Sequence, residues 1–257
     1  MTLYSLTDVS FQLPERKLLT DLTLDLPAGK VVGLIGHNGS GKSTLLKLLA
    51  RQLRPSAGGI SFEGRALRDW PGRDFARRIA YLPQDPPPAT GLTVRDLVAM
   101  GRYPWHGALG RMKAEDHDRI DEAMTLTDVA AFATRQVQSL SGGERQRVWL
   151  AMLVAQEAGA FLLDEPISAL DISHQVEVLS LVRKLSEDGG ASVIVVLHDI
   201  NMAARYCDEI IALKGGRLIA RGDAQTLLAR DTLREIYGVE IATFAHPRSG
   251  APIAYLD

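Results

Sequence analysis

Three clusters of residues in this chain have the types and spacing that handle phosphate chemistry. The first is GHNGSGKST at positions 36–44. Gly36, His37, Asn38, Gly39, Ser40, Gly41, Lys42, Ser43 and Thr44 fit the pattern GxxxxGK[ST]. Glycines at this spacing let backbone N–H groups converge on phosphate oxygens where side chains would clash. A helix that follows points the positive end of its dipole at the same anions. Lys42 is then a point charge for the outer phosphates, and the Ser43 hydroxyl is placed to ligate Mg²⁺.

The second cluster is FLLDEP at 161–166, a hydrophobic strand that ends in two adjacent carboxylates. If that strand neighbours the one before the phosphate loop, Asp164 stands where it can hold Mg²⁺ directly or through water. Glu165 is then placed to orient or deprotonate a water attacking the γ-phosphate, a general-base role. Two acids ending a strand at the surface would be the plainer account. Behind a complete phosphate loop, the functional account is preferred.

The third cluster is LSGGERQR at 140–147. Ser141 to Glu144 has the S-x-x-E form of a helix capping box, with an apolar-periodic helix after it. A structural cap and a binding site are compatible here. A helix N-terminus built from Ser141, Gly142 and Gly143 exposes free backbone N–H groups, which suit an anion. One phosphate loop already serves this chain's own nucleotide. The economical inference is that the second site serves the nucleotide of a neighbouring molecule.

In this order the three strings resemble the ATPase subunits of ATP-binding cassette (ABC) systems, and the resemblance spans nearly the whole chain. It implies a P-loop NTPase (RecA-like) α/β core with an antiparallel β subdomain and a helical insertion. It also implies ATP and Mg²⁺ as ligands and a homodimer in the ATP state. Gln84, in YLPQ, matches the family's Q-loop glutamine, which approaches Mg²⁺ and the attacking water. His198, in VLHD, matches the switch histidine that contacts the γ-phosphate. SALD, with Ser168, Ala169 and Asp171, matches the D-loop that crosses to the partner subunit. The chain departs from the family pattern twice. Leu13 stands where an aromatic usually stacks on adenine; Phe11 lies two residues away, and Arg16 could lend a guanidinium to the base. Ile167 replaces the usual Thr after Glu-Pro.

The elements that must position these residues follow from periodicity. KVVGLIG at 30–36 is a continuous apolar strand feeding the glycine-rich loop, and 42–53 reads as an amphipathic helix with a leucine face. Apolar strands at 79–82, 160–163 and 192–197 alternate with helical patterns such as 175–185, which argues an α/β domain with a largely parallel sheet. LTLDL at 22–26 alternates as a half-buried strand. From about 93 to 140 the spacing is helical with no obvious strand. The expected division is a core of about 1–88 and 157–257 with a helical subdomain of about 89–156. EIIALKGGRLIARG at 209–222 signals a hairpin turning at Gly215-Gly216, followed by a short helical tail and a β-like APIAYLD.

Composition limits the classes. The chain has 257 residues, 46% hydrophobic and 23% charged, which are ordinary values for a globular protein. A net charge of −2 gives no reason to expect a nucleic-acid partner. The lone Cys207 cannot form an internal disulfide and fits a reducing cytosol. The N-terminus lacks the basic start and apolar stretch of a secretory signal. No apolar run approaches the ~18–20 residues of a membrane span. Any work at a membrane therefore needs another chain to do the spanning.

GRYPWHGALGR at 101–111 places Tyr103, Pro104 and Trp105 together in the helical insertion. The aromatics either cap a small local core or form a docking patch for a membrane subunit; Tyr103 and Trp105 are the candidate docking residues. GRYP resembles importers of iron chelates, haem and vitamin B12. The longer strings GRYPWHGALGR, SALDISHQVEVLSLV and VLHDINMAARYCD resemble ferric hydroxamate (ferrichrome-type) uptake systems. That resemblance implies a polytopic permease as direct partner, a periplasmic siderophore-binding protein as indirect partner, and a peripheral place on the cytoplasmic face of the bacterial inner membrane. A soluble ABC ATPase lacks support from tandem cassettes or a basic nucleic-acid face. A P-loop kinase leaves LSGGERQR and His198 unexplained.

Overall fold

The computed structural model describes residues 1–257 apart from 108, 109, 169, 249 and 257. In chain order the strands are β1 (Thr2–Leu13), β2 (Arg16–Pro27), β3 (Val31–Ile35), β4 (Ala57–Phe62), β5 (Arg65–Ala66), β6 (Ile79–Leu82), β7 (Ala160–Leu163), β8 (Ser192–Val196), β9 (Glu209–Lys214), β10 (Arg217–Gly222), β11 (Ala242–Ala245) and β12 (Pro252–Tyr255). The helices are α1 (Lys42–Leu49), α2 (Gly72–Arg78), α3 (Val94–Ala99), α4 (Tyr103–His106), α5 (Ala114–Leu126), α6 (Gly142–Ala155), α7 (Ile172–Glu187), α8 (Ile200–Tyr206), α9 (Ala224–Leu227) and α10 (Arg230–Tyr237).

Two sheets organise the chain. An antiparallel sheet runs β2-β1-β4-β5, and a six-stranded sheet runs β10-β9-β3-β8-β7-β6. In the larger sheet β9, β3, β8, β7 and β6 are parallel, and β10 closes one edge antiparallel to β9. Strands β3, β7 and β8 are buried at every position, as expected where both faces of a parallel sheet are covered. In β2, by contrast, Leu22, Leu24 and Leu26 are buried while Asp21, Thr23 and Asp25 are exposed, the period of a strand with one wet face.

The apolar interior forms on both sides of the six-stranded sheet. One cluster joins β1, β2 and α1, including Leu6, Leu24 and Leu45, to Val32, Leu34 and Ile211. The other joins Val31, Leu163 and Val195 to the helices, including Val98, Leu150 and Leu179. The P-loop α/β architecture inferred from the motifs is the observed one.

Several local expectations change. Helix α1 ends at Leu49 and does not continue to 53, because Arg51 takes a left-handed φ of 58° and turns the chain. Among its described residues the 93–140 stretch holds helices and turns, with one isolated antiparallel bridge between Thr93 and Gln136. The C-terminal tail contains β11 as well as β12, paired as a hairpin.

Candidate nucleotide site

The open ends of the parallel strands gather the chemistry. The phosphate loop follows β3, His198 lies beyond β8, Asp164 and Glu165 follow β7, and Gln84 lies beyond β6. Their meeting place is the carboxyl edge of the sheet, where open α/β sheets bind ligands. Strands β3 and β7 are not neighbours, however, because β8 lies between them. Asp164 still reaches the loop: Ser43 Oγ donates to its Oδ1 at 2.8 Å.

The loop itself is shaped by glycine. Gly36, Gly39 and Gly41 have φ of 138°, 76° and 105°. A Cβ on Gly36 would lie 2.1 Å from the Leu213 carbonyl oxygen, and one on Gly41 2.5 Å from Leu19 Cδ2. Lys42 is buried and folds back on the loop, its Nζ donating to the carbonyls of Gly36 at 2.8 Å and His37 at 3.1 Å. Burial lowers its pKa, against the opposing charges of Glu165 and Asp164. His37 leaves the cradle and meets the Tyr237 carbonyl at 2.9 Å.

A cavity of 290 Å³ opens above the loop, lined by Asn38, Lys42 and Thr44 and, opposite, by Gln84, Glu165 and His198. Glu165 is held from two sides. Its Oε1 is 2.7 Å from His198 Nε2, and its Oε2 accepts from Gln84 Nε2 at 2.9 Å. The residue also has a φ of 53°, a left-handed conformation unusual for glutamate and often found at functional positions. Ser168 braces this turn, its backbone N–H and hydroxyl both donating to the Glu165 carbonyl.

Asp164 is almost fully buried, and burial pushes its carboxyl above the usual range despite the Ser43 hydrogen bond. A buried carboxylate hydrogen-bonded to a serine hydroxyl is a pair of hard oxygen ligands that fits Mg²⁺. Tyr81 stands near it, its hydroxyl buried without a partner among the described residues and pushed up to about 12 by burial and then by Asp164.

The string at 140–147 and Asp171 of the D-loop do not line this cavity within the chain. Ser141 caps α6: Glu144 N donates to Ser141 Oγ at 3.3 Å, and Glu144 Oε2 accepts from Ser141 N at 2.7 Å. The capping box is real, and neither Ser141 nor Gly143 lines the phosphate cavity. Among the described residues nothing outside its own turn lies within 4 Å of a Cβ on Gly142, whereas Gly143 is covered by the His174 ring. Asp171 caps α7 and accepts from the backbone of His174, then from Ser173 and the His174 ring. Those bonds lower its pKa to about 2. Ala169 lies outside the described residues.

The surroundings of Leu13 and Ile167 clarify the two departures. Phe11 is buried in the core, so it is closed to a base. Leu13 is half exposed at the end of β1, paired across the hairpin with Arg16. A Cβ on Gly39 would lie 3.5 Å from the Arg16 guanidinium, which puts that group at the phosphate loop. Leu18, unmarked in the sequence, lines the cavity. Ile167 is buried, where an aliphatic side chain is at home.

In the helical lobe, Tyr103 is 57% exposed and Trp105 37%. Trp105 is committed to packing: its indole N–H donates to the Gln156 carbonyl at 2.8 Å, and the guanidinium groups of Arg77 and Arg102 lie over its ring. The core-capping account therefore holds for much of this side chain. Tyr103 remains the open aromatic.

Comparison with known proteins gives the family. Residues 19–168 match the family model described as ABC transporter. The chain is 40% identical over 239 residues to the iron(3+)-hydroxamate import ATP-binding protein FhuC of Bacillus subtilis, covering 93% of this chain and 89% of that one. It is 39% identical to the ferric enterobactin transport ATP-binding protein FepC of Escherichia coli, covering 91% and 86%. It is 43% identical to the hemin import ATP-binding protein HmuV of Pseudomonas putida, covering 92% and 93%. Among solved structures, an inward-facing metal-chelate type ABC transporter superposes with a TM-score of 0.86 at 26% identity, covering 99% of this chain and 96% of that one. A dimeric bacterial ABC transporter cassette gives 0.76 at 28% identity, covering 86% and 98%.

Proposed function

This chain belongs to the ABC transporter family as an ATP-binding, ATP-hydrolysing subunit, and from that premise we propose that it energises import of a ferric siderophore of the hydroxamate type. The cargo assignment rests on one observation, the 40% identity across nearly the whole chain to a hydroxamate-import ATPase. The cargo itself would never touch this subunit. It would pass through a separate polytopic permease after delivery by a periplasmic binding protein, with this chain peripheral on the cytoplasmic face. Among the described residues no helix is long and apolar enough to cross a membrane.

The chemistry is assigned to named residues. The phosphate loop binds the ATP phosphates through its backbone N–H groups, and Lys42 leaves its carbonyl partners to neutralise the outer oxygens. Ser43 and Asp164, with Gln84 close by, would hold Mg²⁺, which when bound offsets the negative charge on the phosphates. Glu165 orients and deprotonates the attacking water. Gln84 and His198 fix its two oxygens, and His198 is placed to meet the γ-phosphate from the same mouth. Two copies would bind head to tail, so that each nucleotide meets Lys42 of one chain and the turn at Ser141, Gly142 and Gly143 of the other. Gly142 supports that reading, because among the described residues nothing outside its own turn lies within 4 Å of a Cβ there and the turn is open to a partner on that side. Ser168 and Asp171 would lie on the same contact. Residues 89–156 act as the subdomain that meets the permease, with Tyr103 on the docking face and the exposed edge of Trp105 beside it.

A haem cargo is the second reading, favoured by the 43% identity to a hemin importer. The two are separated in a strain lacking this gene by measuring uptake of radio-iron-labelled ferrichrome and growth on haem. The account expects ferrichrome uptake to be lost and restored by the wild-type gene but not by Glu165→Gln, while haem use persists. Loss of haem use alone would transfer the cargo assignment.

A further inference from the structure

We infer that His174 is a positioning residue for ATP-driven pairing, fixing the Gly143 turn to the D-loop so that one protomer presents both to its partner as a single rigid surface. This deepens the head-to-tail reading above and rests on it.

The geometry is specific. His174 sits in the first turn of α7, two residues past Ile172, which is 75% exposed. Its backbone N–H and its ring Nδ1 both lie on Asp171 Oδ1, at 3.0 and 2.7 Å. A carboxylate only accepts, so Nδ1 carries the hydrogen and the ring is locked to the D-loop by its own cap. The opposite edge of the ring covers Gly143. A Cβ there would lie 2.5 Å from Cδ2, 2.7 Å from Cγ and 3.0 Å from Nε2. One turn further along both helices, Arg147 donates to Glu177 at 2.6 Å. The start of α6 is thus clamped to the start of α7 at two successive turns.

The consequence concerns pre-organisation. The Gly143 N–H must aim at a phosphate held by another molecule, and a small misplacement of such donors is costly. The ring leaves no room for a side chain at 143 unless it shifts, and it packs directly on the turn. Because Asp171 holds the ring, movement of the D-loop is transmitted to the same turn. His174 lines no part of this chain's own phosphate cavity, so its effect should fall on pairing and spare nucleotide binding by the monomer.

The test uses the full chain carrying Glu165→Gln and reads two quantities: nucleotide affinity of the monomer, with a fluorescent ATP analogue, and Mg-ATP-dependent dimerisation, by sedimentation. Adding His174→Ala is expected to weaken dimerisation by about tenfold or more, equal to ~1.4 kcal/mol, with monomer nucleotide affinity unchanged. His174→Asn keeps a donor for Asp171 without the ring edge and should recover only part of the loss. Gly143→Ala should pair worse than the parent, and adding His174→Ala to it should restore part of the pairing, because the new methyl then has room. Dimerisation equal to the parent in both His174 variants overturns the inference and leaves the head-to-tail reading standing. A parent that stays monomeric with Mg-ATP overturns both.

Discussion

His198 Nε2 lies 2.7 Å from Glu165 Oε1, on the side opposite the Gln84 carboxamide. The proposed base is therefore held at both oxygens by residues that follow two other strands, β8 and β6. A base held at both oxygens loses little freedom when the water is bound, and the benefit should appear in turnover and not in affinity. His198→Ala is expected to lower kcat by roughly 10²-fold, the lower end of general acid–base effects, with KM for ATP nearly unchanged. Steady-state ATPase kinetics check this; a rise in KM at constant kcat would make His198 a binding group.

Asp164 gives a pH-dependent prediction. Burial raises its folded pKa above the ordinary value of 3.8. A raised carboxyl pKa means that the folded state holds the proton more tightly, so stability falls as pH rises from that ordinary value through the folded pKa. Asp164→Asn removes the buried charge and keeps an acceptor for Ser43. Its thermal midpoint should exceed that of wild type at neutral pH, and the difference should vanish in acid. Mg-ATP hydrolysis should be lost in the same variant. Thermal melts from pH 3 to pH 8 decide it, and a destabilised neutral variant would contradict the account.

The phosphate loop, the paired carboxylates and the capping box at Ser141 were legible in the sequence because each depends on residue type at short fixed spacing. Strand order was not. Nothing local to 160–163 records that β8 separates β7 from β3, since order in a parallel sheet is set by crossovers between distant segments. Leu18 on the cavity and the His174 ring under Gly143 were hidden for the same reason, as contacts between residues far apart in the chain. Trp105 could be read as anchor or core, and only its bond to Gln156 and its two arginine neighbours assign it mostly to packing. β11 escaped because ATFA is short and carries little burial.

Base recognition should be loose. An aromatic on adenine typically adds ~0.5–1.5 kcal/mol beyond area burial, and Leu13 with Arg16 offers aliphatic contact and a guanidinium instead. GTP is expected to support turnover within about tenfold of ATP, which corresponds to ~1.4 kcal/mol. Leu13→Tyr should tighten ATP binding several-fold. Strong rejection of GTP together with no effect of Leu13→Tyr would make Leu13 an ordinary hairpin residue.

The two lobe aromatics should separate. Trp105→Ala removes a hydrogen bond and the seat of two guanidinium groups, so it should destabilise the fold by ~2–3 kcal/mol. Tyr103→Glu should leave the thermal midpoint unchanged and abolish co-purification with the permease, as loss of an interface anchor worth ~2 kcal/mol would. Denaturant melts and pull-down from membranes read the two effects. Retained assembly in Tyr103→Glu would move docking elsewhere on the lobe.

The most direct test of the central claim, that Glu165 is the base at an ATP shared between two copies, is single-turnover hydrolysis by Glu165→Gln alongside gel filtration with Mg-ATP. The account predicts retained ATP binding, hydrolysis lowered by at least ~10²-fold, and a dimer that forms only with the nucleotide. Turnover within a few-fold of wild type, or a variant that stays monomeric at every protein concentration, would contradict it.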